Sequence, residues 1–330
     1  MKYHFEQYTS NHPTQKMKYP FRKWKVRKPS EKRIAKVSSR SLFSFNVGLC
    51  YATIPFRIRN IPVLIKFFGT VINEFFVIQF LQKMHIIHLP ITYVDHPLDK
   101  KVPFEPERVD TYMDFINMWI RPLAMLIRRF GPFNAMPLCM EFIRYITQAY
   151  HQAARMYRCN LTTTHRPDYR KTKQFKMIHR ADPHYLCVPS LHIAIVCLCF
   201  SFYRMLFERE HFTEQEKTKW NKELYQCAIN IAETVLYIKQ HSVNCIAAAL
   251  YMTTKISPEL FTTTDAFDFI NNLFLDAPTI KPEDRKKIIE YIQFTYERFL
   301  LEGAAEDDWF NPVLRWVKSY DSDSECKKNP

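Results

Sequence analysis

The chain has 330 residues, of which 47% are hydrophobic and 15% aromatic, so it can bury a sizeable core, which argues against global disorder. Only four residues are glycine, and neither G-x-G-x-x-G nor G-x-x-x-x-G-K-[ST] occurs, which excludes both glycine-rich nucleotide sites. The formal net charge is +14, and residues 1–40 hold 12 Lys or Arg against two Glu, so most of this charge lies at the N-terminus.

The first predicted element is a basic leader that spans residues 1–40. Tyr19, Phe21 and Trp24 lie between its cations in the stretch KYPFRKWKVRK. We expect the leader to be disordered and to bind an anionic membrane surface; nucleic acid is a weaker alternative and is not expected to be the partner. Because residues 1–40 contain no apolar core, no secretory signal peptide is predicted.

Four apolar stretches follow the leader, at 41–56, 61–81, 186–203 and 227–252. A membrane-spanning helix needs about 20 mostly apolar residues, and 186–203 approaches this length without a Lys, Arg, Asp or Glu. The mean hydropathy of −0.29 is low for a protein with many spans. The sequence is therefore compatible with a bundle of short membrane helices or with a soluble helical domain that has a very apolar core. We expect a membrane-associated protein, either integral or peripheral.

Helical periodicity dominates residues 41–255, and no strand alternation or Asn-Gly hairpin signal is found. This region is predicted to be an all-α domain, folded as a helical bundle. After Lys255 the composition becomes that of an ordinary soluble helical segment, and residues 256–330 are predicted to form a helical appendage with a polar tail. Within it, Pro282 and Gly303 mark the start and the end of one helix.

Two histidines stand out because each lies in an otherwise apolar stretch. His192 lies near the start of the run CVPSLHIAIVCLCF, and His241 follows 49 residues later within TVLYIKQHSVNCIAA. A single histidine of this kind is usually a structural residue whose ring is hydrogen-bonded in the core. Two of them, each on an apolar helix and near cations, are also typical of a shared active site. On the residues alone, both interpretations stay open.

The residues around both histidines resemble two motifs of the type 2 phosphatidic acid phosphatase superfamily, in the branch related to inositol phosphorylceramide synthases. That branch typically reads F-P-S-L-H-x-A and then S-T-x-Y-x-K-Q-H-x-x-x-D. The matching residues, with Thr in the serine position, are Pro189, Ser190, Leu191, His192, Ala194, Thr234, Tyr237, Lys239, Gln240 and His241. A further family motif, K-x6-R-P, resembles KQFKMIHRA, which supplies Lys173 and Arg180 and has Ala181 in place of proline.

The resemblance implies an all-α bundle of the phosphatidic acid phosphatase type 2 kind. It implies a phosphatase or phospho-headgroup transferase that acts on a phosphorylated lipid or other phosphate ester, with no metal and no cofactor. By the resemblance, His241 is the nucleophile that forms a phosphohistidine, and His192 is the acid that protonates the leaving oxygen. The residues expected to bind the phosphate are Lys173, Arg180, Ser190 and Lys239.

The sequence departs from the family four residues after the expected nucleophile, where Cys245 replaces an aspartate. That aspartate orients the imidazole and supports its positive charge, which a thiol does poorly. Asn244 is a second candidate for the orienting role. The alternative function is therefore a catalytically impaired relative that binds a lipid headgroup or a protein partner without turnover. A zinc site formed by His241, Cys245 and His192 is a further alternative, because residues i and i+4 share a helix face.

Overall fold

The computed structural model describes residues 20–21, 25–210 and 212–321, and over these residues the protein is all-α, as predicted. The α-helices are α1 (Glu31–Ser38), α2 (Gly48–Thr53), α3 (Ile61–Thr70), α4 (Ile78–Lys83), α5 (Val109–Met113), α6 (Phe115–Phe130), α7 (Met136–Tyr157), α8 (Lys173–Ala181), α9 (Leu191–Arg209), α10 (Glu214–Tyr237), α11 (Val243–Ile256), α12 (Thr263–Asn272), α13 (Pro282–Glu302) and α14 (Phe310–Ser319). A π-helical segment, Val71–Val77, joins α3 and α4 into one continuous helix.

Helix α9 forms the centre of the molecule, because most of its side chains are apolar and buried. It packs against α7, α10 and α11. The helix begins at Ser190, whose hydroxyl oxygen accepts a hydrogen bond from the backbone N–H of Ile193 (3.4 Å). This N-cap places His192 in the first turn of α9, at the edge of the core.

Within the part of the chain that the structure describes, two helical stretches are long and apolar enough to cross a membrane, Ile58–Lys83 and α9. The two differ in their surroundings: 78% of the apolar window of α9 is buried inside the protein, whereas none of the window in Ile58–Lys83 is buried. Helix α9 therefore has the environment of a core helix. The apolar window of the other stretch is exposed.

The sequence predicts no strand, yet two short parallel strands, β1 (Ile91–Tyr93) and β2 (Leu161–Thr163), pair with Ile91 opposite Leu161. Strands of three residues are too short to show an alternating pattern. They position the chain that leads into α9, because the side chain and carbonyl of Thr162 accept the N–H groups of Val188 (2.7 Å) and Cys187 (3.2 Å).

The expectation that all of residues 1–40 are disordered is wrong for the segment that contains α1. This helix packs on α6, and its Val37 side chain is fully buried. The Ser38 hydroxyl donates a hydrogen bond to the Glu216 carboxylate (2.6 Å). One buried valine and a few polar contacts hold the segment. The net charge of the segment does not predict these contacts. The rest of the predicted leader, residues 1–19 and 22–24, lies outside the described residues.

The predicted appendage at 256–330 belongs to the same hydrophobic core as the helices before it. The expected boundary at residue 255 falls inside α11, which ends at Ile256. Helix α13 packs along α11, and the hydroxyls of Tyr296 and Thr254 lie 2.9 Å apart across this contact. The composition changes after residue 255 because one face of α13 is exposed to solvent. The other face of α13 continues the core. The predicted polar tail beyond residue 321 is not described.

A buried ion pair joins α6 to the start of α10. The side chains of Arg129 and Glu216 are 1% and 2% exposed, and the second of their two contacts, between Arg129 Nη2 and Glu216 Oε2, is 3.2 Å long. We expect Arg129→Met to lower the free energy of unfolding by about 3–5 kcal/mol, because it leaves a buried carboxylate without its cation. Chemical denaturation measures the change, with Arg128→Met at the exposed neighbouring position as the control. Equal stability of the two variants would contradict this expectation.

Candidate active site

The two histidines meet where the N-terminus of α9 faces the turn between α10 and α11. His192 is the second residue of α9, whereas His241 lies in the turn, two residues before α11, and not on an apolar helix as predicted. The distance between His241 Nε2 and His192 Nδ1 is 3.3 Å, and Ser190 Oγ lies 3.2 Å from the same Nε2. The chain thus brings three polar side chains, from two positions about 50 residues apart, into one hydrogen-bonded cluster.

The surroundings of His192 keep its ring neutral. Its ring centroid lies 4.8 Å from that of Tyr112 and 4.7 Å from that of Phe115. Burial, together with the neighbouring His241, lowers the pKa of His192 to about 3. A neutral imidazole carries one ring proton, so at the contact between the two rings one nitrogen donates and the other accepts.

A left-handed residue and a half-buried carboxylate fix the turn that carries His241. Lys239 has a φ of 57°, and its ammonium group donates hydrogen bonds to the carbonyl oxygens of Asp99 (2.6 Å) and Val102. The Asp99 carboxylate accepts the N–H of Val243 (2.9 Å) at the start of α11. Burial raises the pKa of Asp99 to about 6, against the hydrogen bonds that lower it. Lys239 therefore holds the turn, which corrects the expectation that it binds phosphate.

The second ring nitrogen of His241 lacks the partner that the sequence predicts. His241 Nδ1 is buried and makes no hydrogen bond of normal geometry. The side-chain amide of Asn244 is engaged elsewhere: its nitrogen donates to the Val94 carbonyl (3.0 Å) and the Tyr320 hydroxyl (2.9 Å), and its oxygen accepts the Tyr291 hydroxyl (2.6 Å). Asn244 therefore does not orient His241, because α11 turns its side chain toward β1 and the C-terminal helices.

Cys245 takes the family's aspartate position but supplies no negative charge to His241. Its sulfur accepts the backbone N–H of Ser242 (3.4 Å) and interacts with the thiol of Cys187. Burial and the neighbouring Cys187 raise the pKa of Cys245 well above its usual range, so its thiol stays protonated. The orienting role expected of Cys245 has no direct contact to support it.

Sequence reasoning misses a second group of titratable side chains, which lies just before α9. His184 has a φ of 68°, and its Nε2 lies 2.8 Å from Thr164 Oγ1 and 3.6 Å from the sulfur of Cys187. The Asp182 carboxylate accepts the backbone N–H of His184 (2.9 Å). The signal in the sequence is the run DPHYLC, in which a turn-forming Asp-Pro precedes a histidine and a cysteine.

This group adds charge beside the paired histidines. Burial alone would lower the pKa of His184, but the Cys187 thiol and the Asp182 carboxylate outweigh it and raise that pKa to about 9. Burial likewise opposes ionisation of Cys187, yet the Cys245 thiol and the imidazoles of His184 and His241 hold its pKa well below the usual range. His184 and Cys187 therefore favour the charged forms of each other beside the site.

A basic pocket of about 550 Å³ adjoins the turn. The residues that line the basic pocket are Lys83, Arg166, Arg170, Lys176, His179, Arg180, Asp182, Pro183 and Tyr185. Five of these side chains are Lys or Arg and one is a carboxylate, a balance that favours a negatively charged ligand. Arg166 links the pocket to the site, because its guanidinium donates to the side-chain oxygen of Gln240 (3.1 Å), the residue before His241.

Of the two cations assigned to the K-x6-R-P motif, Arg180 lines the basic pocket and Lys173 does not. Lys173 is the exposed first residue of α8, and two helical turns, about 10 Å, separate it from Arg180. The cation that sequence reasoning misses is Arg166. Its signal is the dipeptide Arg166-Pro167, which matches the R-P end of the motif as Arg180-Ala181 does not.

The zinc alternative gains no support from the side chains. Across residues 20–21, 25–210 and 212–321, no three or more His, Cys, Asp or Glu are arranged to hold a metal ion. His241 and Cys245 do not share a helix face, because His241 precedes α11. No zinc site is therefore assigned.

Comparison with known proteins finds no relative. No protein-family model matches the chain, and no curated protein and no solved structure matches it either. A function must therefore be inferred from the geometry of the side chains, and the resemblance remains one of motif residues.

We expect the neutral ring of His192 to make folding sensitive to acid. Its pKa is about 3 in the folded protein and about 6.5 in an unfolded chain, so between these values only the unfolded state binds a proton. The contribution to stability is complete above pH 6.5 and falls by about 2 kcal/mol between pH 6.5 and 4.5.

In His192→Gln, the free energy of unfolding should therefore fall less steeply over this pH range than in the wild type. Urea denaturation at several pH values measures the two slopes, which do not depend on the absolute stability of the variant. Parallel slopes would show that the folded protein does not keep the His192 ring neutral.

Proposed function

We propose that this protein is a metal-independent phosphatase or phospho-headgroup transferase that acts on a phosphorylated lipid through a phosphohistidine on His241. The observation that carries the proposal is the contact of His241 Nε2 with both His192 and Ser190 at the N-terminus of α9. The basic pocket is linked to this contact through Arg166, which donates a hydrogen bond to Gln240, the residue before His241. A nucleophilic nitrogen, a second ring that carries a proton and a pocket that attracts anions are the parts that phosphoryl transfer requires.

In the proposed reaction, the lone pair of His241 Nε2 attacks the phosphorus atom, and the P–O bond to the leaving alcohol breaks. His192, which takes up a second ring proton once the phosphate is bound, gives that proton to the leaving oxygen and returns to the neutral ring. Water then attacks the phosphohistidine, the P–N bond breaks, and His192 takes the proton from the water. When a second alcohol replaces the water, the same steps transfer the phospho-headgroup.

The two rings must separate to admit a phosphate, because 3.3 Å between their nitrogens leaves no space for phosphorus and its oxygens. His241 is held by the turn that Lys239 and Asp99 fix, whereas His192 is only half-buried. We therefore expect His192 to move. A bound phosphate also places negative charge beside His192, which raises its pKa and allows it to act as an acid.

Arg166 and Arg180 are proposed to neutralise the transferred phosphate, in the role that the resemblance assigned to Lys173 and Lys239. Both arginines line the basic pocket, and Arg166 reaches the residue next to His241. A planar guanidinium can bind two phosphate oxygens at once, which suits this role. Ser190, at the N-cap of α9, keeps its proposed place beside the phosphate.

A lipid is the proposed substrate because the protein exposes an apolar helix beside the pocket. The stretch Ile58–Lys83 is long and apolar enough to cross a membrane, and no residue of its apolar window is buried in the protein. Lys83, at its C-terminal end, also lines the basic pocket. The protein is therefore proposed to work at a membrane, where a phosphorylated headgroup can enter the pocket.

A second candidate function is binding of a phosphorylated headgroup without turnover. It is favoured by the unpaired Nδ1 of His241 and by the protonated thiol of Cys245 where the family has a carboxylate. Without a carboxylate at Nδ1, the positive charge on a phosphohistidine loses the support that the family aspartate gives, and this can cost orders of magnitude in rate.

Phosphate release from phosphatidic acid, prenyl phosphates and inositol phospholipids, without added metal, tests the first candidate. We expect His241→Ala to abolish release and His192→Ala to reduce it by about 10²–10⁴-fold, because it removes only the acid. His88→Ala, at an exposed histidine outside the site, is the matched control. Cys245→Asp should raise the rate, since a carboxylate there can accept the Nδ1 proton.

Release that persists in His241→Ala would overturn the phosphohistidine mechanism. If neither the wild type nor Cys245→Asp releases phosphate, but both bind the same lipids, the second candidate replaces the first. Release by Cys245→Asp alone would mean that the site geometry is intact and that the thiol prevents turnover.

A further inference from the structure

We infer that the helix from Ile61 to Lys83 lies flat in the surface of an anionic lipid bilayer, with one apolar face in the lipid. This inference builds on the membrane association proposed above and does not depend on turnover. The face in question, called here the apolar stripe, consists of Ile61, Ile65, Phe68, Ile72 and Phe76. Their exposed fractions run from 40% to 67%, and their spacing of three or four residues aligns them on one side of the helix.

The opposite face of this helix is fixed against the protein. Phe67 packs edge-on against Tyr150 and Trp119, with ring centroids 6.4 and 6.5 Å apart, and Phe75 packs against Tyr150 at 5.7 Å. These contacts hold α3 and the π-helical segment on α7. The apolar stripe therefore cannot turn inward to hide its side chains, and an exposed apolar surface of this length marks a contact with another body.

The charges beside the helix indicate that it lies on a bilayer and does not cross one. Glu74, near the middle of the helix, pairs with Arg158 (2.7 Å) and His151 (3.0 Å) of α7. The side chains of Arg158 and His151 are about half exposed, at 50% and 54%. In a spanning helix this group would sit near the bilayer centre, which is strongly unfavourable. In a helix that lies flat, it stays on the side that faces water.

A lipid surface fits the apolar stripe better than a second copy of the chain does. The charged residues exposed along Ile58–Lys83 are Arg59, Lys66 and Lys83, and the sole acidic residue of this stretch, Glu74, is turned toward α7. Anionic headgroups complement these cations, and basic amphipathic helices bind membranes in this way. Two copies packed stripe to stripe would bring like charges together.

The geometry also connects the surface to the site. Lys83 ends the helix and lines the basic pocket, so the pocket opens where the bound helix would meet the headgroup layer. Met84 and Ile86, which follow directly, are 57% and 61% exposed and extend the apolar surface past the pocket edge. A headgroup can therefore enter the basic pocket while its acyl chains stay in the bilayer.

Vesicle flotation of the full chain tests the inference, with phosphatidylcholine vesicles that contain or lack phosphatidylserine. We expect the triple variant Ile65→Ser, Phe68→Ser, Ile72→Ser to lose more than about tenfold in partitioning, because it removes the apolar contact. The matched control is Leu275→Ser, Phe294→Ser, Leu301→Ser, whose three side chains are 61–78% exposed elsewhere and should leave binding unchanged. Circular dichroism confirms that both variants are folded.

Flotation at high salt separates the apolar stripe from the basic leader, because salt screens the charges and leaves the apolar contact. Binding at high salt that the stripe variant retains in full would overturn the inference.

Resistance of the wild type to alkaline carbonate extraction would show a spanning helix instead. A stripe-dependent dimer without vesicle binding would assign the surface to a second copy. The variant His241→Ala should still float with the vesicles. Vesicle binding and catalysis can therefore fail independently, and the two measurements distinguish these failures.

Discussion

The position of His241, and with it the candidate site, depends on the turn between α10 and α11. The ammonium group of Lys239 binds two carbonyl oxygens of the 99–102 segment, and the Asp99 carboxylate binds the first N–H of α11. Together they anchor both sides of a turn whose backbone is left-handed at Lys239. His241 is thereby held against the N-terminus of α9, where Ser190 and His192 share its Nε2. Without these anchors, the turn that carries His241 would not be held against the residues of α9.

The all-α class follows from the sequence because a helical core leaves a period in the apolar residues, whereas the pairing of His192 with His241 is expected only from the resemblance to the family motifs. The roles of the cations cannot be predicted from the sequence. A lysine that follows an apolar helix supplies a positive charge, but its position does not show which groups the side chain contacts. The partners of Lys239 lie 140 and 137 residues away. Asn244 is similar, since its amide is satisfied by Tyr291 and Tyr320 of the C-terminal helices.

Composition also misplaces the domain limits. The charge-rich leader and the predicted appendage at 256–330 look separate from the core in composition, yet Val37 and the inner face of α13 are buried in it. The two apolar stretches that could cross a membrane look alike in sequence. Only burial separates them, because α9 is wrapped by α7, α10 and α11 while the helix from Ile61 to Lys83 is covered on one side. Whether a helix is buried depends on the fold, and the local sequence of the helix does not show it.

The central claim is that His241 carries the phosphoryl group. Rapid quenching of the protein with phosphatidic acid that is radiolabelled in its phosphate, followed by mass spectrometry of the peptides, tests it most directly. The account predicts a label that is stable in base and labile in acid, located on His241 and absent from His241→Ala. Phosphate release without any such label, or a label on another residue such as Cys187, would contradict it.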